Sequence, residues 1–136
     1  MKKLLSVKYS AGAFNAAMLF LRIAVGTLML VHGYDKLIHF KEWAPGFKAT
    51  FIGLSPTISF TLLVFAEFFC AALIILGLFT RLAAIPLIIA MIVAVVKGHN
   101  KDLFGEGEHA ALFAITFVVI LLLGPGRISI DGMINK

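Results

Sequence analysis

Four long apolar runs, separated by short polar connections, are the feature that most limits how this chain can fold. They cover about residues 13–35, 57–79, 82–97 and 108–123. Runs of this length match a bilayer hydrocarbon core, which is about 30 Å thick and takes roughly 20 helical residues. Hydrophobic residues make up 61% of the chain and charged residues only 14%, whereas a soluble domain averages about a quarter charged. The pattern predicts a membrane protein.

The connections predict how the four runs are arranged. A tight turn at Thr80-Arg81 and a sharp stop at residues 124–126 favour antiparallel neighbours. We therefore expect one all-α domain over residues 1–136, an antiparallel up-down-up-down bundle of four transmembrane helices. Aromatic residues at helical spacing in residues 40–47 predict a short interfacial helix between the first and second spans.

The charge distribution excludes one class of partner and predicts an orientation. The net charge is +5, but the Lys and Arg residues lie mainly at the ends of the apolar runs. Nucleic-acid binding requires them on one exposed face, so no nucleic-acid partner is expected. Slightly more of them lie on the side of the termini, which by the positive-inside rule places both termini in the cytoplasm.

The first run carries a predicted packing face within the segment LRIAVGTLMLVHGYDK. At about 100° per residue, one side of this helix collects Arg22, Gly26, Met29, Gly33 and Lys36. Glycine lets another helix approach closely, and charged side chains face lipid only at a cost. We therefore expect this face to lie against another helix.

Glu67 lies near the middle of the second run, where an unpaired carboxylate costs at least a few kcal/mol. Counted from Phe14, Arg22 lies about 12 Å below the terminal face, and Glu67 lies about 15 Å below the opposite face. In a core of about 30 Å these depths agree, so we predict an Arg22–Glu67 ion pair, with Gly26 and Ala71 making room. Such a pair either fixes the packing register or is a proton-accepting or ligand-anchoring site.

A second group of polar residues collects at the opposite ends of the runs. Its members are His32, Asp35, Lys36, Lys97, His99, Glu108 and His109. Polar residues are common at helix ends that face water, which is one interpretation. Another is a transition-metal or haem site, although no recognised metal-ligand spacing is present. A third is a small polar pocket beside Met29 and Gly33, with Arg22 and Glu67 at its floor, suited to a quinone or a small anion.

Two charged residues on the terminal side are expected to have a structural role. Arg81 and Asp131 lie at or just past the ends of runs. We expect them to pair and to hold the C-terminal segment against the bundle. Boundary pairs of this kind usually have modest energetic effects.

Three segments make the chain similar to the DoxX family of small four-helix membrane proteins. They are LRIAVGTLMLVHGYDKL, AEFFCAALIILGLFTRLAA and EHAALFAITFVVILLLGPGRISID, in the order that the family has them. The last, which ends in GPGR-I-S-I-D, is the most specific. The sequence departs from the family pattern at Phe69-Cys70, where small residues are expected after the glutamate.

The resemblance implies a bacterial inner-membrane protein. Some family members are linked to thiosulfate:quinone oxidoreduction, and others to an oxidoreductase complex with a superoxide dismutase and a sulfurtransferase. It therefore implies the membrane subunit of a redox system that meets quinone and a soluble redox partner. In that interpretation the candidate catalytic residues are Arg22, His32 and Glu67. The candidate ligand-binding residues are Met29, Gly33, Lys36, His99, Glu108 and His109.

The alternative is a non-catalytic membrane scaffold or assembly factor for a soluble partner. The sequence contains no dinucleotide fingerprint, cysteine pair or cluster motif, so a redox role would make it a subunit and not a self-sufficient enzyme. Quinone is the favoured cofactor, ahead of haem or a metal. The many apolar faces are also compatible with a homo-oligomer.

Overall fold

The computed structural model describes residues 4–48, 50, 52–98 and 107–135 and is helical in every element of that part of the chain. The all-α prediction is therefore confirmed. Three helices are long and apolar enough to cross a membrane: α1 (Ala11–Ile38), α3 (Pro56–Leu76) and α4 (Thr80–Lys97). A fourth apolar helix, α5 (Glu108–Leu123), is shorter. Two short helices, α2 (Phe40–Trp43) and α6 (Ile130–Ile134), lie outside these spans.

Helix α1 is longer than the predicted first run. The hydroxyl of Ser10 accepts a hydrogen bond from the N–H of Ala13 at 3.0 Å and begins the helix. The helix then continues for 28 residues to Ile38, or about 42 Å at 1.5 Å per residue. Because this exceeds the thickness of a bilayer core, residue number alone does not fix the depth of a side chain along α1.

Helices α3 and α4 meet at a tight turn. Gly77 ends α3 in the left-handed conformation, with φ of 71°. The helix therefore stops at Leu76, three residues before the predicted end of the second run. Phe79 also has a positive φ, of 49°, and α4 begins at the next residue.

Both of these helices contain a π-helical turn. In α3 it covers Phe65–Cys70, and at the end of α4 it covers Ala94–Gly98. Pro86 lies inside α4 and removes one backbone hydrogen-bond donor there. These irregularities change the directions in which the side chains of α3 and α4 point, relative to those of a regular α-helix.

The packing of α1 against α3 depends on glycine. A Cβ atom at Gly26 would lie 3.3 Å from the carbonyl oxygen of Ala71, and one at Gly33 would lie 2.5 Å from the carbonyl carbon of Glu67. The two helices are antiparallel and almost in backbone contact at these points. Arg22 and Met29 are buried on the same face, so the predicted packing face of α1 and its close approach at Ala71 are confirmed.

The rest of the core lies between α3, α4 and α5. Helices α4 and α5 pack along most of their lengths, around side chains with no exposed surface such as Leu87, Phe117 and Ile120. A second, smaller core forms where the segment after α1 folds back onto the start of α3. There the rings of Phe40 and Phe47 lie 5.4 and 5.2 Å from the ring of Phe60.

The outer surface is strongly apolar. Phe20, Leu28, Leu82 and Leu122 are among the large hydrophobic side chains that are more than half exposed. Monomeric soluble proteins rarely expose contiguous apolar patches of this kind. The surface is that of a protein whose helices face lipid.

We expect Gly33→Ala to destabilise the fold by about 1–3 kcal/mol, the usual cost of overpacking. The added Cβ meets the backbone of α3, which cannot move aside as a flexible side chain can. Thermal unfolding in detergent micelles measures the effect. Gly46→Ala is the matched control, because no atom lies within 4 Å of a Cβ built there. Equal unfolding temperatures for the two variants would show that the close approach is not a packing constraint.

Candidate functional site

Glu67 is a buried carboxylate in an unusual backbone element. Its exposed fraction is 4%, and it lies within the π-helical turn Phe65–Cys70 of α3. Single π turns inside α-helices occur frequently at functional sites. Gly33 of α1 packs directly against the backbone of Glu67, so α1 lies against the π turn of α3 at this point.

Lys36 is the ion-pair partner of Glu67. Its Nζ lies 2.9 Å from Oε2 of Glu67, with side-chain exposures of 24% for the lysine and 5% for the glutamate. Lys36 lies one helical turn after Gly33 on α1. The close approach at Gly33 therefore brings the ammonium group of Lys36 to the carboxylate of Glu67. The predicted Arg22–Glu67 pair is therefore wrong, and Glu67 pairs with a residue that the sequence placed at the mouth of a pocket.

The register of the two helices explains the error. Gly33 lies beside Glu67, and Arg22 is eleven residues earlier, which is about 16 Å along α1. The distance from Glu67 to Gly77 along α3 is similar. Arg22 therefore lies level with Gly77 at the terminal end of the bundle, far from Glu67.

Arg22 is buried at that end and is held by the C-terminal segment. It is 1% exposed, and its Nη2 donates a hydrogen bond to the carbonyl oxygen of Ile128. The guanidinium group lies in the space that a side chain at Gly77 would fill, next to Ser129. The arginine thus ties α1 to both the α3–α4 turn and the tail.

Asp131 completes this terminal cluster. Its carboxylate oxygens accept hydrogen bonds from the N–H groups of Phe79 and Thr80 at 2.8 and 2.9 Å, which caps the start of α4. Partial burial alone would raise the pKa of Asp131, but the N–H groups of Thr80 and Phe79 and the charge of Arg22 lower it below its ordinary value.

The predicted Arg81–Asp131 pair is wrong, although the tail is held against the bundle as expected. No ion pair joins these two residues in the part of the chain that the structure describes. Arg81 instead lies beside Gly124, where a Cβ would be 3.0 Å from its Nη2. The tail is held mainly by hydrogen bonds to backbone groups.

His32 lies close to the Lys36–Glu67 pair. It is exposed, it interacts electrostatically with Glu67, and its ring makes an edge contact with Phe113 of α5 at 6.0 Å between centroids. Met29, one turn before Gly33, is 1% exposed and fills the core. The structure therefore brings together His32, Gly33, Lys36 and Glu67, and places Arg22 elsewhere.

The remaining predicted ligand residues are not part of this group. Glu108 and His109 are exposed at the start of α5, and His99 lies outside the described residues. Over residues 4–48, 50, 52–98 and 107–135, no group of three His, Cys, Asp or Glu side chains is placed to hold a metal.

His39 is a polar residue that the sequence analysis missed. Its Nδ1 lies 2.8 Å from the carbonyl oxygen of Asp35 and 3.4 Å from the carboxylate of the same residue. Its ring also stacks on that of Trp43 at 4.5 Å. The spacing of four residues between Asp35 and His39 was the available signal, because such residues are neighbours on a helix.

The polar pocket predicted beside Met29 is not one of the two best-defined cavities in the described part of the chain. One of these lies between α3 and α4, and the other is an open groove on the outside of α1. Neither is lined by Met29, His32, Lys36 or Glu67. Met29 packs into the core, and Glu67 pairs with Lys36.

This arrangement can hold and exchange a proton. A carboxylate beside an ammonium group at 2.9 Å is a charge-assisted contact that changes strength when either group loses or gains a proton. His32, whose imidazole can donate or accept a hydrogen bond, lies nearby. The site is an ion pair reached from one end of the bundle, not an enclosed binding chamber.

The comparisons with known proteins identify a family and two relatives, and the family model covers the first two of the three segments described above. The family model DoxX matches residues 17–100. An uncharacterized membrane protein of Mycobacterium tuberculosis, Rv3486, is 31% identical over 131 residues, which cover 85% of this chain and 80% of the relative. The inner membrane protein YphA of Escherichia coli is 30% identical over 133 residues, covering 90% of this chain and 94% of the relative. No solved structure matches this chain.

We expect Lys36→Met to lower the free energy of unfolding by about 3 kcal/mol, because it leaves a buried carboxylate without its partner. The double variant Lys36→Met with Glu67→Met should recover much of this loss, since both charges are gone. A double-mutant cycle in detergent micelles measures the coupling. Lys41→Met, at an exposed lysine, is the control. Purely additive single effects would contradict a Lys36–Glu67 interaction.

We expect the cap on α4 to weaken in acid. Folding lowers the pKa of Asp131. The contribution of Asp131 to the free energy of unfolding is therefore fully present above the pKa of the unfolded chain, about 3.9, and is lost as the pH falls through the lower pKa of the folded chain. Asp131→Ala should cost about 1–2 kcal/mol at pH 7, as lost caps do. The difference in the free energy of unfolding between the wild type and Asp131→Ala should be constant from pH 7 to about pH 5 and should narrow progressively as the pH falls to about 2. The measurement is unfolding of both proteins across this pH range. A constant difference across this range would contradict the cap, and Glu42→Ala is the exposed control.

Proposed function

Because this chain belongs to the DoxX family of membrane proteins, we propose that it is the membrane subunit of a quinone-linked or oxidative-stress-related redox system. In this proposal it crosses the bacterial inner membrane four times as an up-down-up-down bundle, with both termini in the cytoplasm. The name of the relative from Escherichia coli supports the inner membrane. The lengths of α1, α3 and α4 support three of the spans, and apolar α5 is the fourth.

The buried Lys36–Glu67 pair is the observation that carries the redox proposal. Intramembrane charged residues are costly and mark proton or ligand pathways more often than charges in soluble cores do. Here the carboxylate lies in a π turn and its partner is 24% exposed. A pair that only fixed the helix register would need neither feature, because Gly26 and Gly33 already fix it.

We assign the proton chemistry to three side chains. Glu67 accepts or releases the proton, Lys36 adjusts how readily it does so, and His32 exchanges the proton with the exposed end of α1. Reduction of a quinone takes up protons together with electrons, so a proton site beside the bilayer is what such a reaction requires. The electrons come from a soluble redox partner.

The alternative proposal is a non-catalytic scaffold. The terminal cluster favours it, because Arg22 is buried and bound to backbone groups of the tail. That cluster presents an ordered surface built from the α3–α4 turn and α6. In this case the two charged clusters would set the packing of the helices and the choice of a soluble partner, and a homo-oligomer would be compatible with the apolar outer faces.

Purification of the full chain from bacterial membranes in mild detergent separates the two proposals. Under the redox proposal, extraction of the purified protein should yield quinone in a fixed ratio, and Glu67→Gln should lose quinone-dependent proton uptake while keeping the fold. Glu42→Gln is the control carboxylate, because it is exposed. A colourless protein without quinone that co-purifies stoichiometrically with a soluble enzyme would overturn the redox proposal and support the scaffold.

A further inference from the structure

An apolar cavity of about 330 Å³ lies between α3 and α4. It begins under Phe47, which follows α2, and continues past Ala66 of α3 and Ala90 of α4. Cavities that hold small ligands start at about this size. The charged residues of the Glu67 site do not line it.

Both walls of the cavity are irregular. Phe65 and Ala66, on one wall, belong to the π turn of α3. Ala94, on the other, begins the π turn of α4, and Pro86 lies on the same wall. The cavity therefore lies where the helices of both walls are irregular.

The chemistry of the walls selects a hydrocarbon chain. They are apolar apart from Ser59, so the cavity offers little to a polar headgroup and takes no ordered water, which needs two to four polar partners. Leu62, Phe65 and Ile89 line the cavity and are also exposed on the outer surface. The cavity is thus open to the bilayer, and a chain can enter it sideways from the lipid.

The end of the cavity near Phe47 carries positive charge. Lys97, one turn after Ala94, donates a hydrogen bond to the carbonyl oxygen of Thr50 at 2.7 Å and ties the segment that roofs the cavity to α4. A lysine ammonium has three donors, and this hydrogen bond uses one of them. Lys48 directly follows Phe47 and is exposed. Within the residues that the structure describes, no carboxylate forms an ion pair with Lys97 or Lys48.

From these observations we propose that the cavity between α3 and α4 binds one acyl chain of an anionic phospholipid, whose phosphate contacts Lys97 and Lys48. A lysine ammonium attracts the negative charge of a phosphate, and its N–H groups form charge-assisted hydrogen bonds with phosphate oxygens. An isoprenoid quinone tail would fill the same apolar space but would place no negative charge at the two lysines. The charge therefore favours the phospholipid.

Native mass spectrometry of the delipidated full chain tests the proposal. Phosphatidylglycerol and phosphatidylcholine with identical chains are added at equal concentrations. We expect one phosphatidylglycerol to bind at least about tenfold more tightly, since a lysine near an anionic headgroup contributes about fivefold. Lys97→Gln should reduce this preference about fivefold, and Lys97→Gln combined with Lys48→Gln should abolish it, whereas Lys41→Gln, at an exposed lysine outside the cavity, should change neither affinity. Equal binding of the two lipids by the wild type would overturn the proposal.

Filling the cavity tests the acyl chain separately from the charge. Ala90→Leu and Val93→Phe add bulk at its wall and should weaken the binding of both lipids about tenfold. Ala111→Leu on α5, which does not line the cavity, should leave binding unchanged. Preferential binding of ubiquinone over phosphatidylglycerol by the wild type would overturn the phospholipid assignment.

A photoreactive acyl chain locates the site without any variant. Phosphatidylglycerol with a diazirine in its chain should crosslink to residues 59–66 and 86–94, which contain most of the cavity wall. Crosslinks spread evenly over the exposed faces of α1 and α5 would overturn the proposal. The quinone content and proton uptake of the purified protein are separate readouts, so failure of this proposal is distinguishable from failure of the redox proposal.

Discussion

The contact of α1 with the backbone of α3 at Gly33 is the constraint on which the two charged clusters depend. Because Gly33 lacks a side chain, the helices are in near contact at Glu67, and this fixes their antiparallel register. One turn later, Lys36 then meets the Glu67 carboxylate. Eleven residues earlier, Arg22 lies level with Gly77 and meets the tail. A shift of one helical turn would separate both pairs of partners.

The two clusters differ in what their charges bind. Arg22 and Asp131 are bound to backbone carbonyl and N–H groups, which keep their charge state over the range of pH in which proteins work. Lys36 and Glu67 are bound to each other, with a histidine nearby, so each partner's protonation affects the other. The first arrangement is typical of a structural clamp. The second is typical of a site that responds to protons.

The fold was predictable from the sequence to a greater extent than the site. Apolar runs, the glycine face of α1 and the three family segments predict the helices and the family, because these features are local or shared. Counting residues from Phe14 could not predict the Lys36–Glu67 contact, because α1 is longer than a bilayer core is thick. The π turns cannot be recognised from the spacing of the apolar residues. The partners of Asp131 are backbone groups, which occur throughout every sequence and therefore give no signal of the contact.

The π turn of α3 joins the charged site to the apolar cavity. Ala66 lines the cavity, and Glu67, the next residue, pairs with Lys36 on the other side of the helix. A chain that occupies the cavity contacts the same turn that aims the carboxylate. If the affinity of this chain for the cavity depends on the geometry of the turn, the ion pair and the bound chain are thermodynamically linked. Each then changes the stability of the other by the same free energy. Under the two proposals, the irregular backbone of α3 is the element that connects the lipid in the cavity to the proposed proton site.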